Sequence, residues 1–186
     1  MVEPVFRETF DCAALAAAHP PRWRNLHKKA IHERVVRAGP ETGAVEVSRW
    51  RMYRTVAPAP VGLPRLRVVR GFFDYAPEAG ASWWMNFADP TLFFAYHTAL
   101  LAQDELQVLE HPVLASLCEA FKRDGRRCDT VEEDWPTPVL FWGVPRRLHF
   151  KTGANAEEGR PQGLYGNRFN AASSEAVMRA VTVLKP

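Results

Sequence analysis

No run of about 18 apolar residues occurs anywhere in the 186-residue chain, so no membrane-spanning helix is expected. The N-terminus carries early acidic residues and no long apolar core, which argues against a secretory signal. Cysteine is scarce: Cys12, Cys118 and Cys128 form an odd set without a Cys-x-x-Cys pair. That excludes a disulfide framework and points to a reducing cytoplasm. No histidine stands at tight spacing beside these cysteines, as zinc ligation would need, so no metal is expected and the thiols read as buried or incidental. Internal repeats and low-complexity tracts are missing as well, which removes solenoids from consideration.

What remains is an apolar content of 47%, enough to bury a full core in a single domain spanning 1–186. Eleven Phe and six Trp must fill that core or line a pocket. Net charge is only +3, yet between Arg22 and Arg70 basic residues far outnumber acidic ones. Such a stretch either attracts a polyanion or forms a solvated basic face balanced by the acidic residues 129–134.

Local patterning predicts an order of elements. Residues 5–10 read as a strand and 12–18 as an Ala-rich helix stopped by His19-Pro20-Pro21. Residues 23–37 carry Trp23, Leu26, Ala30, Ile31 and Val35 at helical spacing, closed by Gly39-Pro40. Residues 45–56 and 66–75 read as strands. The run 83–88 is apolar except for Asn86, the pattern of a central strand buried on both faces. Asp89-Pro90-Thr91 then looks like a capped helix start. A short strand is expected at 106–109, a helix from His111-Pro112 to about 122, and strands at 139–144 and 148–151. Residues 152–166 read as a long loop, and a helix capped by Ser173 or Ser174 is expected through about 184. Alternating strands and helices imply an α/β fold, a mixed sheet with helices on both faces, whose ligands bind at the carboxyl ends of strands.

Three constellations fall at such places. Met85-Asn86-Phe87-Ala88-Asp89 sets an amide and a carboxylate at a strand end, where they either bond ribose hydroxyls or form an ordinary capped junction. Gln103-Asp104-Glu105 sets two carboxylates side by side, either as a solvated acidic turn or as a tuned acid/base pair. Cleavage of a ribosyl bond, whose transition state resembles an oxocarbenium ion, needs the latter. Gly163-Leu164-Tyr165-Gly166-Asn167 lies between Arg160 and Arg168. Its glycines let backbone N–H groups approach an anion, and Tyr165 and Phe169 could stack on a sugar or base.

Together the three resemble macrodomains. Asn86-Phe87-Ala88-Asp89 is similar to the strand-end motif of poly(ADP-ribose) glycohydrolases, and Gln103-Asp104-Glu105 resembles their Gln-Glu-Glu catalytic signature. Gly163-Leu164-Tyr165-Gly166 looks like the second diphosphate loop. The resemblance covers about residue 70 to the C-terminus and leaves 1–65 unexplained. It implies a three-layer α/β/α sandwich with a central mixed sheet that binds ADP-ribose and cleaves at C1″ of the distal ribose. Glu105 matches the catalytic acid and Asp104 its ribose-holding neighbour. Asp89 stands where the family has Asn, and Asp74 lies where many macrodomains hold adenine. Between the two motifs the family's loop is glycine-rich, whereas residues 90–102 contain no glycine but Phe93, Phe94, Tyr96 and His97.

That departure favours a mono-ADP-ribosyl substrate over a polymer. The expected partners are ADP-ribose and ADP-ribosylated protein or DNA, with no cofactor, no membrane and a monomeric chain. Two other readings stand beside it: a non-catalytic ADP-ribose reader, and a basic nucleic-acid-associated α/β protein.

Overall fold

The computed structural model describes residues 4–52, 83–86, 89–126 and 129–186, a mixture of helices and strands. Strand β1 (Pro4–Asp11) turns its even positions inward, and Phe6 and Phe10 meet Phe121 edge to face at 6.0 and 6.2 Å. Asp11 ends the strand and caps α1 (Cys12–Ala18), its carboxylate accepting the Ala14 N–H at 2.8 Å. Helix α2 (Leu26–Arg37) is capped the same way by Asn25. It starts three residues later than its apolar spacing suggests: Leu26 is 79% exposed, while Lys28, Ile31 and Val35 form the inner stripe.

Strand β2 (Ala44–Trp50) pairs antiparallel with β1. Helix α3 (Gln103–Glu110) follows, then α4 (Val113–Arg123). A hairpin β3 (Val131–Glu132) and β4 (Trp135–Pro136) turns through Glu133 and Asp134, both at positive φ, as a two-residue primed turn requires. Strand β5 (Val139–Trp142) joins β2 to complete a three-stranded antiparallel sheet in the order β1-β2-β5. Strand β6 (Leu148–Phe150) pairs antiparallel with β7 (Val181–Val183) across α5 (Arg168–Ala171) and α6 (Ser174–Arg179).

Several expectations change. Residues 106–109 are helical within α3 because Leu106 and Leu109 serve one core while Val108 serves another, a helical division of sides. Helix α6 stops at Arg179, and the β-branched Val181-Thr182-Val183 passes to the sheet with β6. Strand β5 is shorter than the expected 139–144 and alternates in burial. Among the described residues the sheets are small and antiparallel, and the expected strand at 66–75 lies outside them.

The interior divides into two apolar clusters. One gathers β1, β2, α1 and α4 around Leu117 and Phe121; the other gathers α2, β6, Leu164, Phe169 and α6. Burying Val113, Leu114, Leu117 and Phe121 of α4 contributes roughly 6–12 kcal/mol of hydrophobic stabilisation at about 1.5–3 kcal/mol each. Helix α3 and the segment before it stand at the seam: Leu92, Phe93 and Tyr96 belong to the first cluster, Leu101 to the second. Cys12 and Cys118 are buried thiols, as expected; Cys128 lies outside the described residues.

Candidate functional site

The first turn of α3 is built by its own acids. Glu105 reaches back so that its Oε2 accepts the Ala102 N–H at 2.9 Å, the return half of a capping box, and Asp104 and Glu105 sit where the helix dipole favours negative charge. Gln103-Asp104-Glu105 therefore opens a helix. Gln103 and Glu105 are 7% and 3% exposed, and Asp104 is half-buried.

Residues 83–86 lie across this turn. The Asn86 amide donates to Asp104 Oδ1 at 2.8 Å and to Gln107 Oε1 at 2.6 Å, and Gln103 Nε2 donates to the Met85 carbonyl at 2.7 Å. Both amide protons of Asn86 are spent, and its Oδ1 is buried without a donor. Residues 83–86 form no strand, contrary to their apolar pattern. Trp83 and Met85 are 60% and 72% exposed, and the segment is held by side chains, with Trp83 against Trp142 and Trp84 against His111. Burial pushes the Asp104 carboxyl up to about 6; the charges of Glu105 and Asp89 add to this, while hydrogen bonds from Asn86 and the Phe93 backbone oppose it.

Between the motifs the expected helix does not form. Asp89 Oδ1 accepts the Thr91 N–H at 3.0 Å, and the chain proceeds through successive short turns, Thr91 to Phe94, Phe93 to Tyr96 and Ala95 to Thr98. Phe93 at φ 59° interrupts any right-handed helix, and its ring is buried instead. Residues from outside the resembling region hold this segment. The Arg24 and Asn25 N–H groups both donate to the His97 carbonyl at 3.1 Å, and the Arg22 N–H donates to Tyr96 Oη at 3.0 Å. Lys28, fully buried, donates its Nζ to the carbonyls of Tyr96 at 2.9 Å and Leu100 at 2.6 Å. The His97 carbonyl thus has a structural role.

The third motif reaches the same place. The Gly166 N–H donates to the Leu101 carbonyl at 2.7 Å, one residue before the start of the capping box. The Gly163 and Leu164 N–H groups are used internally, on Arg160 and Thr152 carbonyls. Leu164 and Phe169 are fully buried, Phe169 lying 5.8 Å from the Phe150 ring and 5.5 Å from His27, so these two expected ligand contacts are core residues. Arg160, which flanks the loop, is 5% exposed and bonds Gly153 and Glu158. Tyr165 is half-buried and Asn167 exposed.

Asn86, Asp89, Gln103, Asp104, Glu105 and the Gly163–Gly166 turn are thus brought to one end of α3. Asp74 lies outside the described residues. Lys28, Gln107 and Tyr96 join the cluster unforeseen. Only Lys28 carried a signal: it stands three residues before Ile31 and seven before Val35, on the buried stripe of α2.

Part of the basic stretch is neutralised locally, since Arg49 and Arg51 lie 3.7 and 3.0 Å from Glu132 and Arg22 lies 3.2 Å from Glu119. Among the described residues no cluster of three or more His, Cys, Asp or Glu could hold a metal ion, and no helix is long and apolar enough to cross a membrane. Comparisons with family models, with curated proteins and with solved structures return no match.

Proposed function

We propose that the chain is an ADP-ribosyl hydrolase of the macrodomain class, built on a three-layer α/β/α sandwich. In this reading it removes mono-ADP-ribose from acidic protein side chains or from nucleic acid by cleavage at C1″ of the distal ribose. The observation that carries it is the 2.8 Å bond from Asn86 to Asp104, which joins the two motifs of the resemblance in one buried polar cluster beside Glu105.

The chemistry follows from the two carboxyl groups. Asp104, pushed up to about 6, keeps its proton into mildly acidic solution and can pass it to the leaving oxygen as the C1″–O bond breaks. Glu105 orients the water whose oxygen bonds to C1″, and its carboxylate takes the proton that this water loses. The Asn86 Oδ1 offers an acceptor to a ribose hydroxyl, which satisfies the one buried polar atom of the cluster left without a partner. With the Gly163, Leu164 and Gly166 amides engaged, the diphosphate is left to the exposed rim of that loop, Asn167 included. The glycine-free segment 90–102 fits a single ADP-ribosyl group better than a polymer. No cofactor or metal enters the scheme, and the chain works as a monomer in a reducing cytoplasm, on ADP-ribosylated protein or DNA.

The test is release of ADP-ribose from modified protein and from modified DNA by wild type and Glu105→Ala. The expected loss in the variant is about 10²–10⁴-fold, the range for a positioned acid or base. Wild-type inactivity on both substrates, or full activity of Glu105→Ala, contradicts the proposal. One observation favours a non-catalytic reader instead: Glu105 already spends Oε2 on capping its own helix. Tight ADP-ribose binding without turnover selects that reading.

A further inference from the structure

We propose that Lys28, on a helix outside the region resembling macrodomains, is a positioning residue for this site: its ammonium locks the glycine-free segment 90–102 and supplies the cation behind Asp104 and Glu105. The inference rests on the functional reading above.

A glycine-rich loop reaches its shape through backbone freedom and backbone hydrogen bonds. Segment 90–102 has no glycine, and one of its residues, Phe93, sits in the left-handed region at φ 59°. Some other part of the molecule must impose that shape. Rings do part of it, with Tyr96 edge-on to Trp23 at 5.1 Å and its hydroxyl donating to Glu119 at 2.8 Å.

Two carbonyls of the segment, those of Tyr96 and Leu100, are both taken by Lys28 Nζ, at 2.9 and 2.6 Å. Leu100 immediately precedes Leu101, whose carbonyl receives Gly166, and Ala102, whose N–H receives Glu105. One ammonium therefore anchors the chain from which both the third motif and the catalytic turn hang.

A fully buried ammonium is costly unless carboxylates compensate it. Burial does lower the Lys28 pKa to about 8, and the opposing influences are Glu105 first and Asp104 second. The groups bearing on Asp104 are Glu105 and Asp89, which raise it, and Asn86 and the Phe93 N–H, which donate to it; Asp104 in turn raises Lys28 on α2, so Lys28 is the cation paired with these acids. This assigns a task to the N-terminal part of the chain, which the resemblance leaves unexplained: it replaces a flexible phosphate loop with a braced one.

The experiment compares wild type, Lys28→Met and Lys28→Gln. Carbon-detected NMR titration of the Asp104 carboxyl and hydrogen exchange of the Tyr96 and Thr98 amides are measured without ligand, alongside ADP-ribose release. In Lys28→Met the Asp104 midpoint rises by about one unit, the loss of one nearby opposite charge. The two amides exchange at least ~10-fold faster while α4 is unchanged. Turnover falls by about 100-fold, as for a displaced reacting group.

Lys28→Gln keeps a donor one bond shorter without the charge. It raises the Asp104 midpoint with smaller changes in exchange, and it carries the test if the Met variant does not fold. Simple loss of packing would expose Asp104 and lower its midpoint, the opposite sign. An unchanged midpoint and unchanged exchange in the folded variants overturn the positioning role. Wild type that fails to release ADP-ribose overturns the functional reading instead, whatever the two ligand-free measurements show.

Discussion

Two irregular segments flank the start of α3 and solve the same problem by opposite means. Segment 90–102 holds its shape without glycine, through the buried rings of Phe93 and Tyr96 and the ammonium of Lys28. Loop 152–167 holds its shape with glycines at positive φ and a lattice of backbone bonds: Arg160 and Asn155 exchange two, and Leu164 reaches Thr152 at 2.8 Å. The first depends on distant parts of the chain, since its anchors come from α2 and the residues before it. The second makes most of its backbone bonds within itself, with Leu164 seated in the core. They meet at the Gly166–Leu101 bond, immediately before the carboxylates of the candidate site.

The contrast can be broken from either side. The largest effect is expected for Phe93→Ala, which removes a ring 3% exposed and should cost about 3–5 kcal/mol of unfolding free energy in a urea titration. A cost below about 1 kcal/mol would show that rings do not hold the segment.

Next comes Gly163→Ala. At φ 76° an added Cβ would meet the Thr152 carbonyl oxygen at 2.6 Å, so backbone must shift, and a loss of about 3 kcal/mol is expected in the same titration.

A smaller effect separates the two ends of α3. Burial lowers His111 to about 4, so its contribution is present above pH 6.5 and lost as pH falls through 4; His32 in α2, also lowered to about 4 by burial, behaves alike. Asp104, raised from 3.8 to about 6, has the opposite sign: its contribution is present below 3.8 and lost as pH rises through 6. Asp104→Asn removes that offset. Acidification from pH 6.5 to 4 should then cost the variant about 2 kcal/mol more than wild type, read by thermal unfolding across pH.

The smallest effect is expected for Gly166→Ala. It shares a positive φ, 68°, but has nothing within 4 Å of an added Cβ, so only the conformational cost of about 1–2 kcal/mol applies. Equal losses at Gly163 and Gly166 would remove the close approach as an explanation.

How much of this was legible in the sequence depends on what each element answers to. Strand β1, α1, α2 and α4 follow local rules: alternation in Phe6 to Phe10, caps at Asp11 and Asn25, a stop at His19-Pro20. Residues 83–86 and 106–109 do not, because an apolar run looks the same whether it pairs in a sheet, turns as a helix or lies across another element. Leu106 and Leu109 are apolar for a helix serving the seam between two cores. Glu105 and Asp104 were legible as a pair of acids; the bond from Asn86 to Asp104 comes from the structure. Lys28 was legible only as a place on the Ile31–Val35 stripe, because a lysine reads as surface unless its carbonyl partners, 68 and 72 residues away, are known. Leu164 and Phe169 were misread for the converse reason: in a glycine-rich loop their apolar side chains look available, yet they anchor the loop in the core.

The most direct test of the account is an NMR titration of the wild-type chain with ADP-ribose, following the Asn86 side-chain amide and the Gly166 backbone amide together. Both signals should move saturably with one shared Kd, because a single ligand would span the Asn86–Asp104 cluster and the Gly163–Gly166 turn. Two signals that stay in place at saturating ADP-ribose, or that move with different affinities, would contradict it.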